Sequence, residues 1–175
     1  MQHHGRILAT FASVAVLLAG SSDFAQAGRQ AGATVAQRVV GTWLLAAYSS
    51  ADPETQRLRG ARPTGVLLYD KSGRMSVQIM PERKRRAFTG QFFPVYAGPR
   101  PTPDEALDAV MGYTAYFGTY SVDERAGTIT HVRDGNLNPT ALGNFVRRYR
   151  FVNEDRVVLT PVENDGDQLT WERVK

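Results

Sequence analysis

The chain has 175 residues, carries 21 Lys and Arg against 17 Asp and Glu for a formal net charge of +4, and contains no cysteine. That length, with 42% hydrophobic residues, suits a single domain with a full hydrophobic core. The missing cysteines exclude disulfides, thiolate metal sites and cysteine nucleophiles, and so small a positive excess gives little support to a nucleic-acid partner.

The first segment reads as an address rather than as fold. Met1 to Arg6 forms a short basic n-region, Ile7 to Ala19 an apolar stretch too short for a stable bilayer-spanning helix, and Ala25-Gln26-Ala27 an A-x-A cleavage site. Residues 1–27 are therefore expected to be a secretory signal peptide, which places the mature protein in the periplasm or outside the cell. Ser21 stands where a lipoprotein would need a cysteine after Leu18-Ala19-Gly20, so no lipid anchor and no stable membrane insertion are expected. Residues 28–38 read as a flexible N-terminal segment and residues 39–175 as the domain.

From Val39 onward, apolar and polar residues alternate with period two, and turn residues punctuate them at regular intervals. Strands are expected near Gly41 to Ser49, Thr64 to Tyr69, Arg74 to Met80, Thr114 to Val122, Thr128 to Arg133, Asn144 to Val152, Arg156 to Val162 and Gln168 to Val174. Asp70 to Gly73, Asp123 to Gly127, Asn153 to Asp155 and Asn164 to Asp167 supply hairpin turns. Strands joined this way form an antiparallel meander, and eight of them can close into a barrel that has no edges.

One segment departs from the alternation. Thr102-Pro103-Asp104-Glu105 combines an N-cap threonine, proline at the first helical position and a capping-box glutamate, so a helix is expected to start there. Leu107, Val110, Met111 and Thr114 follow at helical spacing, an apolar stripe that would lie against the rest of the fold. Arg83 to Pro101, just before, is rich in proline, glycine and basic residues, and a stretch of that length without regular structure reads as a lid. Its run Arg83-Lys84-Arg85-Arg86 reads as a solvated loop at the barrel mouth, with steering of anionic amphiphiles or contact with an anionic surface as the second reading.

The motif Gly41-Thr42-Trp43 at the head of the first strand resembles the G-x-W of the lipocalins and their calycin relatives. It is joined by Pro63-Thr64-Gly65-Val66-Leu67-Leu68-Tyr69, Gly73-Arg74-Met75-Ser76-Val77-Gln78, Tyr113 to Asp123, Thr130-His131 with Asn138-Pro139 and Gly143, and Leu169-Thr170-Trp171-Glu172-Arg173. Together these are similar to the bacterial and fungal lipocalin-like domain family over nearly all of Val39 to Lys175. The resemblance implies an eight-stranded antiparallel up-and-down barrel with one short helix inserted between strands 3 and 4. It further implies that Arg173 packs over Trp43 by cation–π stacking and closes one end of the barrel, with Gly41 needed because backbone or the arginine approaches closely there. Relatives of this kind include carriers of apolar molecules as well as isomerases and cyclases, so the fold alone does not fix the activity.

Candidate site residues come from the alternation. Phe145, Arg147, Tyr149 and Phe151 share one face of their strand and, being mostly aromatic, are expected to face inward. Arg147 inside a barrel must meet a carboxylate, a carbonyl or a ligand anion. His131 is the only histidine after residue 27. It is either a satisfied barrel histidine or a proton-transfer group. A lone histidine builds no histidine-rich metal centre, and no metal or cofactor is expected. Tyr116, Gly118, Tyr120 and Val122 share a face, and Gly118 leaves either a cavity or close packing between the two tyrosines. No G-x-S-x-G, H-E-x-x-H, P-loop or G-x-G-x-x-G pattern occurs.

The expected function is that of an exported barrel binding or carrying a small, mostly apolar or amphiphilic ligand with an acidic or polar head. Arg147, His131, Tyr116, Tyr120, Tyr149 and Phe145 are the expected ligand contacts. The alternatives are an isomerase or cyclase using His131, Tyr116 or Tyr120 in the same cavity, and an envelope or stress protein acting through its surface.

Overall fold

The computed structural model describes residues 33–90 and 99–175. In chain order they form α1 (Val35–Val39), β1 (Gly41–Ser49), α2 (Pro53–Arg59), β2 (Thr64–Tyr69), β3 (Arg74–Met80), α3 (Pro103–Val110), β4 (Thr114–Asp123), β5 (Thr128–Asn136), β6 (Gly143–Asn153), β7 (Arg156–Pro161) and β8 (Gln168–Arg173). The expected signal peptide and the start of the 28–38 segment lie outside the described residues, as do positions 91–98 of the expected lid. Among the described residues, no helix is long and apolar enough to cross a membrane.

Each strand pairs antiparallel with the next, and β8 returns to β1, so the sheet closes into an up-and-down barrel. The alternation dictates which side faces in. Met75, Val77 and Ile79 of β3 are buried while Arg74 and Gln78 are exposed. The register aligns Trp43 with Leu67, Leu67 with Val77 and Val77 with Tyr116, a continuous inward row. A one-residue slip would turn this row out to solvent, which is why the buried face fixes the register. The β2–β3 hairpin is held by Asp70, whose carboxylate accepts from the backbone amides of Ser72 and Arg74.

Gly118 sits at a register shift between β4 and β5. A Cβ there would stand 1.9 Å from the carbonyl oxygen of Val132. Of the two readings left open for this glycine, close packing holds and a cavity does not.

The helix inserted between the third and fourth strands is α3, with the capping box between Thr102 and Glu105 formed in both directions and Pro103 at its start. Two further short helices flank β1. α2 is capped by Asp52 with Pro53 in its first turn, and α1 by a Thr34–Gln37 capping box. Neither is long enough to show an apolar stripe, so their only sequence signal lies in the caps.

α1 corrects the expectation of a flexible segment up to residue 38. Val39 is buried, its carbonyl accepts from the indole N–H of Trp43, and Glu124 accepts from the amide of Val35. The end of the segment is therefore pinned to the barrel at both sides of the helix.

A second correction concerns the apolar stripe of α3. Leu107 is 59% exposed, and Val110 and Met111 are also exposed. The helix is held by its polar side instead: Arg83 pairs with Asp108 and donates to the carbonyl of Met111, Arg85 donates to that of Ala109, and Glu105 accepts from Thr89.

Candidate functional site

The two ends of the barrel differ in how they are filled. At the end where β1 begins, Trp43 is fully buried, and the guanidinium of Arg173 lies 4.1 Å from its ring centre. Arg173 donates to the carbonyls of Val40 and Arg38 and approaches Asp155 at 3.5 Å. Gly41 has φ +140°, and a Cβ there would meet Arg173 Nη1 at 2.6 Å, so a side chain would be both strained and obstructed. Arg38 stacks on Phe151 beside them. The Trp43 indole N–H and the Arg173 guanidinium are thus both engaged at this end.

Halfway up the barrel the interior turns polar. His131 comes inward from β5, 1% exposed. Its Nε2 is 2.5 Å from the hydroxyl of Tyr69 on β2, and its Nδ1 is 2.9 Å from that of Tyr116 on β4. Arg147, inward from β6 and 6% exposed, donates from Nη2 to the same Tyr116 oxygen at 2.8 Å. Burial, reinforced by the guanidiniums of Arg147 and Arg133, holds the imidazole well below its usual range, so His131 is neutral. Burial likewise pushes the Tyr69 phenol well up.

Above this group a cavity of about 420 Å³ opens toward the α2–α3 end, lined among others by Tyr116, Phe145, Arg147, Arg133, Arg59, Ile79 and Leu169. The Phe145 ring faces two guanidiniums, Arg147 at 4.2 Å and Arg133 at 4.7 Å. Arg133 is occupied by backbone carbonyls of residues 142–144, and Arg59 by the hydroxyl of Thr114. Arg147 is not so occupied. Its Nε is buried without a hydrogen-bond partner, and among the described residues no carboxylate lies within ion-pair distance of it.

Of the expected ligand contacts, Arg147, Tyr116 and Phe145 therefore meet at the cavity wall, with His131 directly behind Tyr116. Tyr120 and Tyr149 lie elsewhere. The Tyr120 hydroxyl donates to the carbonyl of Asp70 in the β2–β3 turn. Tyr149 packs edge-on to Phe151 at the filled end. Both face inward as the alternation requires, but a shared face along a tilted strand does not mean a shared height in the barrel.

Arg133, Arg59 and Tyr69 are the residues that sequence reasoning missed. Period two from His131 places Arg133 on the same inward face, and period two from Leu67 does the same for Tyr69. Arg59 reaches the cavity only because α2 folds over the mouth, for which the sequence offers no periodic signal.

A family model described as a lipocalin-like domain matches residues 40–174. The chain belongs to the lipocalin-like domain family. No curated protein matches it. The match covers the whole closed barrel of this lipocalin-like domain, whose architecture suits the enclosure of a small ligand. What its interior can do chemically follows from the donors. Among the described residues no three His, Asp or Glu side chains gather to hold a metal ion, while the chamber carries three guanidiniums against the single carboxylate of Asp167. Such a chamber attracts negative charge.

Proposed function

We propose that this lipocalin-like domain is an exported binder of a small amphiphile, whose acidic head sits against Arg147 and Tyr116 while its apolar body lies on Phe145, Ile79 and Leu169. The observation that carries the reading is the buried guanidinium of Arg147, aimed at a cavity and lacking a carboxylate partner. Leaving such a charge uncompensated costs stability, and an anionic ligand compensates it. Residues 1–27, read as a signal peptide, would place this binding in the periplasm or outside the cell.

The test is calorimetric titration of the protein with alkyl and aryl carboxylates and their matched methyl esters. The acid should bind more tightly than its ester. Arg147→Met should weaken the acid by roughly 30-fold or more, the equivalent of about 2–5 kcal/mol for a lost buried charge partner, and leave the ester within about threefold. Equal loss for acid and ester removes the anchor role. An isomerase or cyclase reading gains no comparable support, since His131 is screened from the chamber by Tyr116.

A further inference from the structure

Tyr69, His131, Tyr116 and Arg147 form one continuous chain of polar contacts, 2.5, 2.9 and 2.8 Å in that order. Only Tyr116 and Arg147 of the four line the chamber. We propose that Tyr69 and His131 act as positioning residues that fix the Tyr116 hydroxyl as a hydrogen-bond donor into the chamber, so that the site selects heads that only accept: ionised carboxylates and related oxyanions. This rests on the acid-binding reading above and adds to it the reason for the selectivity and the residues that set it.

A neutral imidazole carries one N–H and one bare nitrogen, so the chain has two arrangements. In the first, Nε2–H donates to the Tyr69 oxygen and the Tyr116 hydroxyl donates to Nδ1. That strands the Tyr69 O–H, which is buried and has no other partner among the described residues. In the second, the Tyr69 O–H donates to Nε2, and Nδ1–H donates to the Tyr116 oxygen, which also accepts from Arg147. Both lone pairs of Tyr116 are then filled, and its own O–H is the one hydroxyl left over.

The difference lies in where the unmet donor falls. The first arrangement leaves it in the packed middle of the barrel, where no ligand reaches; the second leaves it at Tyr116, which lines the chamber beside Arg147. Buried polar groups without partners are strongly disfavoured, so the second arrangement prevails. The burial that keeps His131 neutral is what makes the count work, since an imidazolium would donate from both nitrogens. At the Arg147–Tyr116 pair the wall then presents the Tyr116 O–H and the Nη hydrogens of Arg147 not given to Tyr116, and no acceptor. A carboxylate satisfies both. A protonated acid, an alcohol or an ammonium brings a hydrogen that this pair cannot accept.

His131 is the only histidine beyond His3 and His4, so histidine-labelled protein starting at residue 28 gives a single imidazole signal. A proton–nitrogen correlation of that ring in ligand-free protein near neutral pH should place the proton on Nδ1 and leave Nε2 bare. A proton on Nε2, or on both nitrogens, overturns the proposal. Tyr69→Phe removes the donor that enforces this tautomer. Its ring signal should move toward an Nε2–H mixture, and carboxylate affinity should fall by about two- to tenfold although no ligand contact has been removed. An unchanged tautomer in Tyr69→Phe also overturns the proposal. The Nδ1–H tautomer in a protein that binds no carboxylate would sink the acid-binding reading alone.

Discussion

Both ends of the barrel are built round an arginine laid on an aromatic ring, Arg173 over Trp43 at 4.1 Å and Arg147 over Phe145 at 4.2 Å. The stacking distances hardly differ, but the remaining donors do. Arg173 reaches two backbone carbonyls and Asp155, and it lies over a fully buried Trp43. Arg147 reaches one tyrosine oxygen, keeps an unpaired Nε, and faces a cavity. The same pair of residue types thus closes a fold in one place and prepares a site in the other, according to whether the guanidinium's other hydrogens already have partners.

The strongest way to break this comparison is to truncate each end. Trp43→Ala removes a fully buried indole from the filled end and should lower unfolding stability by about 3–5 kcal/mol, read from urea titrations. Arg147→Met should do the opposite. Replacing an uncompensated buried charge by an apolar side chain of similar length should raise the stability of the ligand-free protein by about 1–4 kcal/mol, while acid binding is lost. If Arg147→Met destabilises the protein instead, both arginines are structural and the distinction between the ends collapses.

How far the sequence discloses each end follows from the kind of signal each depends on. The filled end is legible because it rests on local pattern: Gly41-Thr42-Trp43 opens a strand, alternation places the residues inward, and the family resemblance supplies Arg173 as the cap. The chamber is only half legible. Alternation assigns Arg147, Phe145, Tyr116 and His131 to the interior, but it assigns Tyr120 and Tyr149 there equally, because period two gives the side of a strand and not the height along the barrel axis. Height depends on the strand stagger, which is fixed by turn lengths and by the shifts at Leu45/Ala47 and Phe117/Gly118. The stripe on α3 misled for a related reason: helical spacing shows which residues share a face, but Arg83, Arg85 and Thr89 decide which face is held down.

The subtlest contrast between the ends is in their response to acid. His131 is met by Tyr69 from β2, by Tyr116 from β4 and, through Tyr116, by Arg147 from β6, and the charge of Arg133 on its own strand also disfavours its protonation. No carboxylate is among these neighbours. Its folded-state pKa is therefore held well below the ordinary value of 6.5, first by burial and then by the two guanidiniums. As the pH falls below about 6.5, the unfolded chain takes up a proton there and the folded one does not. The unfolded state is favoured, and stability should drop by up to about 1.4 kcal/mol per pH unit until the folded-state pKa is reached. The depressed carboxylates of Asp70, Glu82 and Asp108 also lose stabilisation in acid, but only as the pH approaches and passes below their ordinary values near 4. Between about pH 7 and about pH 5 the slope therefore belongs chiefly to His131. Urea titrations across that window should show a falling stability in the native sequence and a nearly flat one in His131→Gln, whatever the absolute stability of the variant. Parallel slopes would mean that His131 titrates alike in the folded and unfolded states, and a stability that rises toward acid would mean that it is already protonated in the folded barrel. The chamber would then have a fourth cation behind Tyr116, and the open end would bind acids by net charge rather than by directed donors.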